Sequence, residues 1–163
     1  MDINQEVDRL SQIPMFSKME TSKLKLLAFT SKLIEYQNGE TLFHIDDPAD
    51  SVYLVMRGNV EILLDSTDGA SAAIVRGENS LIGEMAVISK QGRTASVRAK
   101  GAATVLRIED DVFLQLLTVN PDVALDVMRQ LSDKLTEAHK TNELLQRKVQ
   151  AAQGWVTPAT ETS

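Results

Sequence analysis

Between Lys32 and Ile108 the chain is cut into short segments by turn-forming residues. These are Gly39, Asp46-Asp47-Pro48, Gly58, Asp68-Gly69, Gly77-Glu78-Asn79, Gly92 and Gly101. Glycine supplies positive φ, while proline and aspartate start turns, so no long helix survives this punctuation. Inside the segments apolar positions alternate: Val60, Ile62 and Leu64; Ala95, Val97 and Ala99; Thr104, Leu106 and Ile108. A period of two places each set on one face of a strand. The spacing predicts a mainly β protein, about eight short strands in a jelly-roll β-roll.

The flanks read as helices. Ile3, Val7 and Leu10 fall at helical spacing and Pro14 ends the run. Leu24, Leu27 and Ala28 resume it after Thr21-Ser22, which reads as a cap. Beyond Ile108, Asp110 or Asp111 is placed to cap a helix carrying Val112, Phe113, Leu116 and Leu117. Asn120-Pro121 then interrupts, and a long helix is expected from Pro121 to about Gln153, before Gly154. The expected organisation is one domain over 1–154: N-terminal helices 1–31, β-roll 32–108, C-terminal helices 109–154. A disordered polar tail is expected over 155–163.

Composition excludes several function classes. Among 163 residues, 43% are hydrophobic, enough for a core, and no cysteine is present. Zinc–thiolate sites, disulfides and thiol catalysis are therefore out of reach. With His44 and His139 as the only histidines, a three-histidine metal centre cannot be built, and no metal is expected. Lys+Arg 17 against Asp+Glu 23 leaves a net charge of −6, unfavourable for sequence-blind nucleic-acid binding. The first ten residues carry Asp2, Glu6 and Asp8 and no apolar run, unlike a secretory signal. No stretch approaches the ~18 apolar residues of a membrane span. A soluble, cytoplasmic protein is the expectation.

One stretch carries chemistry: Ile82-Gly83-Glu84-Met85-Ala86-Val87-Ile88, then Gly92-Arg93-Thr94-Ala95-Ser96-Val97. A helical turn after Gly83 would present backbone N–H groups toward an anion. Arg93 can close on that anion with a planar two-pronged contact suited to phosphate oxygens. Glu84 beside a phosphate needs its own reason, and accepting a ribose hydroxyl supplies one. Together they describe a pocket for a ribose phosphate. The spacing alone is equally compatible with a solvated Glu84–Arg93 ion pair on a surface turn.

The stretch resembles the phosphate-binding cassette of the cyclic nucleotide-binding domain. Glu84 and Arg93 keep that family's spacing of nine positions. The resemblance extends through Gly39-Glu40-Thr41-Leu42-Phe43, Asp47-Pro48-Ala49-Asp50-Ser51-Val52-Tyr53-Leu54-Val55 and Gly58-Asn59-Val60-Glu61-Ile62, over roughly residues 10–140. It implies that Glu84 accepts the ribose 2′-hydroxyl and Arg93 binds the exocyclic phosphate oxygens. Backbone groups of Gly83, Met85, Ala86 and Ala95 would complete the anion nest. Ile74, Leu81 and Val97 would floor the base, with plain core packing the alternative for each. Asp46 and Asn79 stand where the family often has glycine. Both types tolerate positive φ, so the turns are expected to survive.

The resemblance also implies a C-terminal lid helix that brings Lys134, Leu135, Ala138 and His139 to the base. Ala138-His139 replaces the Thr-Ser pair of catabolite-activator-type regulators, so their adenine contact does not carry over; His139 is otherwise a surface residue. The Thr94 hydroxyl can meet a guanine amino group, yet cyclic AMP is favoured over cyclic GMP on the family pattern. Read in heptads, the helix sets Met128, Leu135, Asn142 and Val149 at one core position and Leu131, Ala138 and Leu145 at the other. A homodimer through this seam is expected, with Asn142 pairing with its twin; the alternative is a solvated Asn142 on a single lid.

No nucleophile–base pair is recognisable, since neither Ser89 nor Ser96 has an adjacent histidine. The expected function is a non-enzymatic cyclic nucleotide sensor signalling to a separate effector protein. The segment beyond Gly154 has no room for a recognition helix, so direct DNA binding is not expected. A dimeric scaffold with a degenerate pocket and a cupin-type enzyme are the rival readings; two separated histidines argue against the latter.

Overall fold

The computed structural model describes residues 2–64 and 72–153. It divides into two units, residues 1–127 and residues 128–163.

The first unit opens with helix α1 (Ile3–Ser11), which starts on a reciprocal cap. The Gln5 amide donates to Asp2 Oδ1 at 2.9 Å and the Asp2 amide to Gln5 Oε1 at 3.2 Å. Pro14 does end the helix, by starting a 3-10 turn over Pro14–Phe16 that buries Met15 and Phe16. Helix α2 (Thr21–Thr30) buries Leu24, Leu27 and Ala28 as the spacing predicts. Its cap position is Glu20, which makes no side-chain cap, so Thr21 and Ser22 lie inside the first turn instead of capping it.

Six strands form one antiparallel sheet among the described residues: β1 (Lys32–Tyr36), β2 (Thr41–Phe43), β3 (Ser51–Leu64), β4 (Ala72–Arg76), β5 (Leu81–Ile82) and β6 (Ser96–Glu109). The order is β1-β6-β3-β4, with β2 also on β6 and β5 also on β3, and the sheet is not a closed barrel. The difference from eight strands has a local cause. Gly58 and Gly101 read as separators, yet both stay inside 14-residue strands. The β3–β6 register slips between Val55 and Arg57 and again between Arg57 and Asn59, which bends the pair without ending it. Gly58 sits at this bend with φ 82°, and a Cβ there would collide with the Ala102 carbonyl. Each long strand then serves two neighbours: β3 pairs β5 and β4 at its two ends, β6 pairs β1 and β2.

Strand alternation sorts the core into two layers. Tyr53, Val55, Val60, Val97, Ala99, Ala103 and Val105 cluster with Leu42, Phe43 and Ile82 on one face. Val52, Leu54, Leu81, Leu106 and Ile108, of opposite parity, are buried on the other. Helix α4 (Asp110–Val119) packs against β3 and β6 and buries Phe113 and Leu116. The Asp110 and Asp111 carboxylates accept the amides of Asp111 and Val112, while the cap position itself is Glu109. Asn120 donates its side-chain amide to Leu116 O and accepts from Ala124 N, so it closes α4 and opens α5 (Pro121–Ala152).

The second unit is described as the rest of α5. Met128, Leu135, Leu145 and Val149 are exposed on it, Leu135 at 73%; Leu131 is half-buried and Asn142 exposed. The expected tail and the Asp68-Gly69 turn lie outside the described residues. No helix among the described residues is long and apolar enough to cross a membrane, and they hold no group of three or more potential metal ligands.

Candidate functional site

The candidate site is assembled where β5 ends. Gly83 follows Ile82 in the left-handed region, φ 82° and ψ 8°, and turns the chain into the six-residue helix α3 (Glu84–Ser89). Lys90, φ 57°, reverses it again, and Gln91 N donates back to Ala86 O at 2.9 Å. A second loop clamps the far side. Asp46 N donates to Arg93 O at 2.8 Å and Arg93 N to Asp47 O at 2.9 Å, while Ile45 N reaches Ser96 Oγ at 2.9 Å. Asp46 makes this approach at φ 72°, and Asn79 turns into β5 at φ 69°. Both turns thus adopt the positive φ that aspartate and asparagine were expected to tolerate.

Arg93 runs inward from this clamp and is 2% exposed. Its Nη2 donates to Ser51 O at 2.6 Å and lies 3.4 Å from Ser51 Oγ; Nη1 donates to Gly83 O at 3.1 Å. The guanidinium carbon stands 4.1 Å from the Phe43 ring centroid and 6.0 Å from that of Tyr53. Asp50 Oδ1, 3.8 Å away, belongs to a side chain 63% exposed, so it offsets the buried charge weakly. Asp50 also reaches Arg107, which bonds Glu109 Oε1 at 2.7 Å. Burial draws the Arg93 pKa below its ordinary value against the pull of Tyr53 and Asp50. At Arg107 burial works the same way, but the Tyr53 hydrogen bond and the carboxylates of Glu109 and Asp50 outweigh it and raise the pKa. Arg93 Nε–H is buried with no hydrogen-bond partner among the described residues. A buried donor left unpaired costs about 1–3 kcal/mol, and an anion would satisfy it.

Glu84 opens α3 and is itself 2% exposed. The solvated Glu84–Arg93 surface pair is therefore ruled out: neither side chain reaches the surface. Gly83 meets Arg93 through its carbonyl, and Glu84 and Ala86 follow it on α3, both buried; Ala95 is half-buried, and Met85 and Thr94 are exposed. Of the expected floor, Val97 and Ile74 lie in one cross-strand row, Phe43–Val97–Ile62–Ile74. Leu81 does not join it. It pairs with Leu54 on the opposite face, and Ile82, paired with Tyr53, occupies the cluster side. Lys134, Ala138 and His139 belong to the second unit, where His139 Nε2 lies 3.3 Å from Glu143 Oε1. Phe43 and Ser51, quoted above only for resemblance, turn out to hold Arg93.

This geometry coincides with a known sequence pattern, that of the cyclic nucleotide-binding domain, which matches residues 33–120. The chain belongs to that family. The cAMP-activated global transcriptional regulator CRP of Salmonella typhimurium is 31% identical over 103 residues, covering 62% of this chain and 49% of the regulator. The chain thus spans about half the length of that relative. Among solved structures, the catabolite activator protein of Thermus thermophilus aligns at TM-score 0.70 and 25% identity, over 82% of this chain and 63% of that one. The regulatory domain of Toxoplasma gondii PKA, crystallised with cAMP, aligns at TM-score 0.67 and 20% identity, over 83% and 50%. The matched residues include the whole of the stretch from Gly83 to Val97, with the buried Arg93 inside it.

Proposed function

We propose that the chain is a cyclic nucleotide sensor, with cyclic AMP preferred to cyclic GMP, that acts by conformational change and catalyses no reaction. The observation that carries the reading is the Arg93 guanidinium: buried, weakly countercharged, held by two carbonyl oxygens, and with an unsatisfied Nε–H. In this reading Arg93 binds the exocyclic oxygens of the cyclic phosphate and Glu84 accepts the ribose 2′-hydroxyl. Main-chain groups of Gly83, Met85, Ala86 and Ala95 complete the anion contacts, and Thr94 faces the base. Val97, Ile74 and Ile82 supply the apolar floor.

On α5 the reading assigns base contacts to Lys134, Ala138 and His139, and pairing with a second copy to the seam from Met128 to Val149. Nucleotide binding would bias the lid between two states and pass the signal to a separate effector in the cytoplasm. Neither DNA contact nor a metal is part of this proposal. A scaffold with a non-binding pocket is the second reading, favoured by the exposed apolar seam, Leu135 above all. Calorimetry with cyclic AMP and cyclic GMP separates the two. Saturable binding supports the sensor, and silence at millimolar nucleotide leaves the scaffold.

A further inference from the structure

We infer that Phe43 is a positioning residue that sets the plane of the Arg93 guanidinium for its anion. The inference rests on the proposed anion role of Arg93, but the positioning itself can be read without ligand. Two carbonyl oxygens fix Arg93 within its own plane, Ser51 O at Nη2 and Gly83 O at Nη1. Neither prevents the group from tilting about the line through those contacts. The Phe43 ring, 4.1 Å from Cζ, blocks that motion and supplies the negative face of its π system to a cation with little countercharge. Tyr53 packs behind it, ring centroids 5.7 Å apart at 33°.

Gly83 closes the arrangement. A Cβ there would collide with Arg93 Nη1 and lie 3.5 Å from Phe43 Cε2, so the bare α-carbon lets ring, guanidinium and carbonyl meet. Phe43 pairs with Val97 across β2 and β6, which anchors the ring in the sheet. An aliphatic side chain of similar size would fill the same core space. It would offer no π face, and the Arg93 guanidinium would lose its fixed plane.

The test compares Phe43→Met, near in volume but without a ring, with Phe43→Tyr, which keeps the ring; thermal melts verify that both fold. The Arg93 Nε–H resonance is followed by NMR without ligand, and affinity is measured with cyclic AMP. Phe43→Met should move the Nε–H signal downfield as the ring current is lost, and weaken cyclic AMP about tenfold. Phe43→Tyr should restore both to near wild type. In an Arg93→Lys background, which removes the planar group, Phe43→Met should cost nothing further. An unmoved Nε–H signal, or equal affinity losses in the Arg93 and Lys backgrounds, overturns the inference. A moved and Tyr-restored signal in a protein that ignores cyclic AMP upholds the positioning and refutes the nucleotide reading instead.

Discussion

At the residue scale the cassette depends on backbone conformations and on one buried cation. Gly83→Ala combines a strained left-handed φ with a collision against Arg93, whereas Gly39→Ala, φ 85°, meets nothing within 4 Å. Both should lose about 1–2 kcal/mol in urea titration from the conformation alone. Gly83→Ala should lose more than that and should also weaken nucleotide binding; equal losses would mean that Arg93 yields freely. At Asn79 one substitution is informative: Asn79→Val should be clearly destabilising in urea titration, because β-branched residues resist φ 69°. These turns were legible in the sequence because aspartate and asparagine advertise tolerance of positive φ. The Phe43–Arg93 stack was not, because its two residues lie far apart in the chain and no local pattern records their meeting.

At the scale of elements, period-two alternation announced the strands but not how they slide. Gly58 reads as a turn, and only the partner strand reveals that β3 continues past it through register slips. The two residues of β5 are too few for alternation to have a phase, so whether Leu81 or Ile82 faces the cluster is decided by pairing with Leu54 and Tyr53. Helices were easier, since three buried positions at i, i+3 and i+4 mark α2 unaided; its cap was misplaced because Glu20 takes that position without a side-chain bond. Helix α4 hangs on Phe113, 1% exposed against β3 and β6. Phe113→Ala should cost about 3–5 kcal/mol of stability in urea unfolding. A loss below about 1 kcal/mol would mean that α4 is not anchored on the sheet.

At the scale of the whole molecule, the claims concern assembly and ligand. If the α5 seam joins two copies, light scattering at micromolar concentration should return a dimer mass, and Leu135→Asp should return a monomer by placing a charge in the interface. Monomer from the unaltered chain would dismiss the seam as an interface. The ligand claim is the deeper one, because the fold is shared by the whole family while the charge arrangement inside the cassette is what a nucleotide would read. Titration calorimetry of cyclic AMP into the wild-type protein and into Arg93→Ala, with circular dichroism confirming that the variant is folded, addresses it in one measurement. The account predicts saturable heat for the wild type and a loss of about 1.5–3 kcal/mol of binding free energy, or more, in the variant. Absent heat in the wild type, or equal affinity in both proteins, would contradict it.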